Sequence, residues 1–184
     1  MSTKTFTSTT LSASDLNTYC ANSGLVYVAS YTFSSNTAPY IDNCFSSTYD
    51  NYKIVINATS TSNNTALFKF RTGGADNSTS NYFWGGFYIN IAGSASLTPE
   101  SSGGAVTNGR YGAYSTNGNN FAEIMVSMPY SASQKTTFIS NHQSAENYVR
   151  MMNGYFDATT SFDGIKIYNA TLTGTMTVYG MRKA

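Results

Sequence analysis

The chain has 184 residues and a formal net charge of +1, with 10 Lys and Arg against 9 Asp and Glu. That length suffices for one domain with its own core, and so few cations leave no basic footprint for gripping nucleic acid. Charged residues make up 10% and aromatic residues 15%, the reverse of a disordered chain.

The polar mass lies in 25 Ser, 25 Thr and 19 Asn, and with 15 Gly this is a composition of short strands and many turns. Residues 1–11 read as a polar arm whose large apolar residues are Phe6 and Leu11. With no apolar core in Met1–Thr10, the chain is expected to carry no secretory signal and to be made and assembled in a cytoplasm. No run approaches 18 apolar residues, so no membrane partner is expected.

A short helix is predicted next, over Ser12–Ala21. Ser12 or Ser14 can cap it, Asp15 sits in its first turn, and Leu16, Tyr19 and Cys20 share one face. From Leu25 onward the apolar period changes to two. Strands are predicted at Leu25–Phe33, Tyr52–Asn57, Ala66–Arg71, Tyr82–Ile91, Phe121–Met128, Thr136–Ser140, Asn147–Phe156, Gly164–Tyr168 and Gly174–Met181. The segments 57–65, 72–81 and 93–109 between them, built of Ser, Thr, Asn, Gly and Ala, read as loops. The expected organisation is an N-terminal arm and helix over residues 1–22 and one domain over 23–184. The expected fold is all-β, an antiparallel β-sandwich of jelly-roll-like type with 27 aromatic rings to fill it. Cys20 and Cys44 are expected to be buried thiols, because two cysteines in a chain with an ample core imply no disulfide framework.

The catalytic inventory is thin. His142, the only imidazole, lies in Ser-Asn-His-Gln-Ser and reads as an exposed loop residue whose loss would change little. Glu100, Glu123 and Glu146 are scattered singly, so no carboxylate pair for glycoside chemistry can be named. Alternation puts Glu123 on the solvent side with Phe121 and Met125, away from Ala122, Ile124 and Val126. Asp157 and Asp163 lack the spacing of a calcium loop, and no Cys/His cluster supports zinc. No catalytic residue, cofactor or metal is therefore expected. The run Tyr82-Phe-Trp84-Gly-Gly-Phe-Tyr88 can be read as sandwich core or as an exposed platform on which Tyr82, Trp84 and Tyr88 stack on a host-surface glycan.

The segment Phe6–Tyr19, with Leu11-Ser-Ala-Ser-Asp15-Leu-Asn-Thr-Tyr19, resembles a pattern near the start of many tailed-phage virion proteins. The strand patterns of Phe45–Ile56, Met128–Phe138 and Phe162–Arg182 are similar to those of jelly-roll-like appendage proteins of phage heads and tails, marine and cyanobacterial phages included. The resemblance implies a non-enzymatic virion structural protein, a capsid decoration or cement protein or a small head–tail appendage. The alternative is a receptor- or glycan-binding module of a tail fibre, although no shaft repeat is present. The implied partners are other copies of the chain, a trimer before a dimer, and virion proteins such as the capsid shell. Phe6, Leu11, Leu16 and Tyr19 are the expected docking anchors of the arm.

Overall fold

A computed structural model describes residues 24–91, 96–116, 118–144 and 148–181. The described residues contain no helix; the predicted helix, and the anchors Phe6, Leu11, Leu16 and Tyr19, lie outside them. Among the described residues thirteen strands run in chain order as β1 (Leu25–Asn36), β2 (Tyr40–Ile41), β3 (Asn51–Ser60), β4 (Thr65–Thr72), β5 (Ala75–Asp76), β6 (Tyr82–Asn90), β7 (Ser96–Ser101), β8 (Gly109–Ala113), β9 (Asn119–Ser127), β10 (Thr137–Ser144), β11 (Tyr148–Phe156), β12 (Gly164–Tyr168) and β13 (Leu172–Met181).

Every strand pair is antiparallel. One sheet has eight strands in the order β1-β13-β3-β9-β10-β11-β6-β7. The other has five: β2-β12-β4-β5, with β8 also paired to β4. The chain crosses repeatedly between the two, so both sheets are closed by distant segments. The architecture is β-sandwich-like.

All nine predicted strands are present. Four more lie in segments read as connections: β5 and β7 correct the loops expected over 72–81 and 93–109, and β8 begins at the last residue of the second. Ser, Thr, Pro99 and Glu100 make a polar edge strand in β7, and proline is tolerated at an edge because it lacks only an outward donor. In β8, Gly109 and Gly112 let the backbone approach Phe68 and His142 closely, so a composition that suggests a turn serves a packed strand.

Alternation builds the core. Tyr52, Ile54, Ile56 and Ala58 of β3 are buried beside Ala122, Ile124 and Val126 of β9 and Met176 and Val178 of β13. The smaller sheet answers with Ala66, Phe68 and Phe70 of β4 and Ile165 and Ile167 of β12. Aromatic rings join the layers: Phe68 meets Phe138 edge-on at 4.8 Å, Phe70 stacks on Phe162 at 4.8 Å, and Tyr82 meets Phe156 at 4.9 Å. Buried tyrosine hydroxyls are satisfied. Tyr82 accepts the Phe70 N–H at 2.9 Å, and Tyr52 donates to the Ser46 carbonyl at 2.9 Å.

One polar knot ties the smaller sheet. The guanidinium of Arg71, 7% exposed, grips Asp42 through both nitrogen arms, at 2.6 and 3.2 Å. It also binds Asp76 and the Gly74 carbonyl, while Lys166 holds Asp76 from β12. The Tyr40 ring lies 4.3 Å from its centre. The β2 loop and the β4–β5 hairpin thus share one bidentate cation, and Lys166 ties β12 to the knot through Asp76. Arg71→Ala would leave two carboxylates short of partners in a partly buried place, and should lower stability by about 2–3 kcal/mol in urea titrations.

Candidate functional site

The outward side of the eight-stranded sheet is set by the odd-numbered residues of β9, β10, β11 and β6, because their even neighbours face the smaller sheet. Register assembles these into cross-strand rows. One row runs Thr137, Tyr155, Phe83, and the next Lys53, Met125, Ile139, Asn153, Gly85, Ser101. The third is Val55, Glu123, Asn141, Met151, Phe87, Pro99, and the fourth Asn57, Phe121, Gln143, Val149, Ile89, Leu97. Large apolar side chains here remain open to solvent: Leu97 is 63% exposed, Ile139 53%, Met151 41% and Phe121 38%. These side chains make this the apolar part of the outer sheet face.

At the first-row end this face is concave. A cleft of about 580 Å³ is lined by Phe83, Gly85, Ser102, Thr137, Asn153 and Tyr155. Phe83 and Tyr155 are directly paired across β6 and β11, and their rings stack 5.1 Å apart with an interplanar angle of 7°. Lys135 at the rim is paired with Asp157.

The stacking set Tyr82, Trp84 and Tyr88 occupies the opposite side of β6. Tyr82 is fully buried and offers no ring face to a ligand. Trp84 is half-buried, packs against the core with Arg110 over its ring at 5.3 Å, and also contributes to the cleft lining, while Tyr88 lies under Arg150 at 5.2 Å. Both sides of β6 are aromatic, so alternation alone could not tell which faces solvent; the pairing of β6 with β11, whose Met152 and Phe156 are buried, decides it.

His142 corrects the sequence expectation more sharply. It is not in a loop but in the middle of β10, 2% exposed, between Ala122 of β9 and Arg150 of β11. Its ring lies 6.2 Å from Tyr111 and against Gly112, and neither ring nitrogen has a hydrogen-bond partner. Burial, reinforced by the nearby Arg150 and Arg110 cations, pushes its pKa from 6.5 down to about 3. The imidazole is a neutral core group with no carboxylate to orient it as a base.

Glu123 lies on the solvent side as alternation requires, 2.6 Å from Lys53. Glu100 is paired with Arg110 at 2.9 Å, and Glu146 lies outside the described residues. Asp163 accepts the Gly73 N–H at 2.8 Å and so fastens a turn. No group of three or more His, Cys, Asp or Glu among the described residues could hold a metal ion. Cys44 is a buried free thiol whose pKa burial pushes up to about 12, which keeps it unreactive. Cys20 lies outside the described residues.

No protein-family model matches this chain, and no curated protein is significantly similar to it.

His142 predicts a pH dependence of definite sign. Its folded pKa lies below its unfolded value, so unfolding takes up a proton as pH falls. The stability present above pH 6.5 should decline below it by up to about 1.4 kcal/mol per pH unit. Urea titrations between pH 7 and 5, above the ordinary carboxylate range, should show this slope, and His142→Leu should flatten it.

Proposed function

We propose that the chain is a non-enzymatic structural subunit of a tailed-phage virion, a capsid decoration or small head–tail appendage protein of jelly-roll-like build. The observation that carries this reading is the exposed apolar part of the outer sheet face, with Phe121, Ile139 and Met151 on the adjoining strands β9, β10 and β11 and Leu97 two strands further on, at the β7 edge. Hydrophobic area left in water has most to gain from a neighbouring subunit, and repeated virion parts are used symmetrically. The Tyr-, Asn-, Ser- and Thr-rich surface suits broad protein contacts in which Tyr gives large area at little rotamer cost.

The strand order supports the finer fold reading. Strands β1-β13-β3-β9 are consecutive in the larger sheet and β2-β12-β4-β8 are paired in the smaller one, and successive strands of this set fall alternately in the two sheets until β8. Two interlocked Greek keys produce such an arrangement. Strands β10, β11, β6 and β7 then extend the first sheet into the contact face. The arm and helix of residues 1–22, with the docking anchors Phe6, Leu11, Leu16 and Tyr19, lie outside the described residues, and their attachment to the shell belongs to the same proposal.

The purified protein should scatter light as a homo-oligomer, a trimer before a dimer, and be found by mass spectrometry in purified virions. Met151→Asp with Leu97→Asp should give a monomer with an unchanged far-ultraviolet circular dichroism spectrum. A wild-type monomer at every concentration, together with absence from virions, would contradict the proposal.

A further inference from the structure

We propose that the cleft beside Phe83 and Tyr155 is a binding site for a neutral saccharide, one pyranose ring resting on the stacked aromatic pair. The cleft's volume of about 580 Å³ is ample for one or two sugar units. The parallel rings form one stiff apolar wall, and a pyranose presents a matching face of C–H groups while its hydroxyls point sideways. The lining is mostly apolar, with a few neutral hydrogen-bonding groups set around that wall: the Asn153 amide, the Thr137 hydroxyl and the Ser102 hydroxyl. Ser102 Oγ accepts the Trp84 N–H at 3.4 Å, which leaves its proton to donate.

Charge selects among saccharides. Lys135 is the one charged residue lining the cleft among the described residues, and Asp157 already neutralises it. An anionic sugar would lose its hydration without gaining an uncommitted cation. A neutral one loses little.

Gly85 is the independent sign that this floor is kept open. Glycine inside a strand costs roughly 0.5–1 kcal/mol relative to alanine and usually answers a close approach. Its neighbour Gly86 has that reason, since a Cβ there would overlap the Met151 carbonyl, and Gly154 has it through Phe138. At Gly85 a Cβ would meet only the Glu100 carbonyl at 3.6 Å and Ser101 Cβ at 3.8 Å, ordinary contacts, and its φ is not positive. Nothing in the fold requires glycine at this position. A ligand lying on the strand does.

The cleft adjoins the proposed contact face at Ile139, the cross-strand partner of Asn153, but lies at the opposite end of the strands from Leu97. Saccharide binding is read separately from oligomeric state and virion content, so failure of one reading is distinguishable from failure of the other. Saturation-transfer NMR and calorimetry on the purified full chain would use the methyl glycosides of D-glucose, D-galactose, D-mannose, N-acetyl-D-glucosamine and L-rhamnose, with N-acetylneuraminic acid as the anionic comparison. At least one neutral glycoside should show transfer to its ring protons. Gly85→Leu and Tyr155→Ala should each weaken its binding at least about tenfold. Gly85→Leu should do so with an undiminished melting temperature, and Leu97→Asp should bind as wild type. No transfer to any neutral glycoside, preference for the anionic sugar, or wild-type affinity in both cleft variants would overturn the proposal.

Discussion

The sandwich depends on aromatic rings lying directly over backbone, in space that a Cβ would otherwise fill. The Phe68 ring occupies the place of a side chain at Gly109, its cross-strand partner on β8. Phe138 does the same at Gly154 of β11, and Tyr49 at Gly180 of β13. His142 lies over Gly112 across the two sheets. Each ring buries its face without a competing methyl group, which permits interiors as dense as those of organic crystals. The Phe68–Phe138 contact then joins the layers at the point where β8 crosses β10 and β11.

The outer face follows from this packing. Once even-numbered positions on β9, β10 and β11 are committed to the rings, a period of two sends Phe121, Met125, Ile139 and Met151 outward. The interior is aromatic enough to leave those side chains unneeded. The same rule stands Phe83 and Tyr155 on the outer surface as a pair while Tyr82 and Phe156, one residue along, close the core. Contact face and cleft are thus two ends of one surface whose orientation the core decides.

The period-two pattern made the strands with apolar interiors legible, and it placed Glu123 on the solvent side correctly. It failed where polarity is inverted. On β10 the buried positions are Phe138, Ser140, His142 and Ser144, while Ile139 is exposed, so Ser-Asn-His-Gln-Ser looks like a loop although it is a central strand. The edge strand β7 and the glycine-bearing β8 were hidden for a related reason: Ser, Thr, Gly and Pro signal turns unless a partner strand is known to lie beside them. In residues 82–88 the sequence drew attention to Tyr82, Trp84 and Tyr88, of which Tyr82 is buried and the other two half-buried, whereas the outward ring beside the cleft is Phe83. Phe83 becomes notable only with Tyr155, 72 positions along the chain and paired with it through β11.

The central claim is that strand glycines here are of two kinds, those whose Cβ space a core ring or a neighbouring backbone already fills and one, Gly85, that the fold leaves open. Equilibrium unfolding of Gly109→Ala, Gly154→Ala and Gly85→Ala, compared under identical conditions, tests it directly. The account predicts a loss of at least about 2 kcal/mol for each of the first two, from forced overpacking. It predicts a gain of about 0.5–1 kcal/mol for Gly85→Ala, from a stiffer strand. Equal changes at all three positions, or a loss at Gly85 as large as at Gly109, would contradict it.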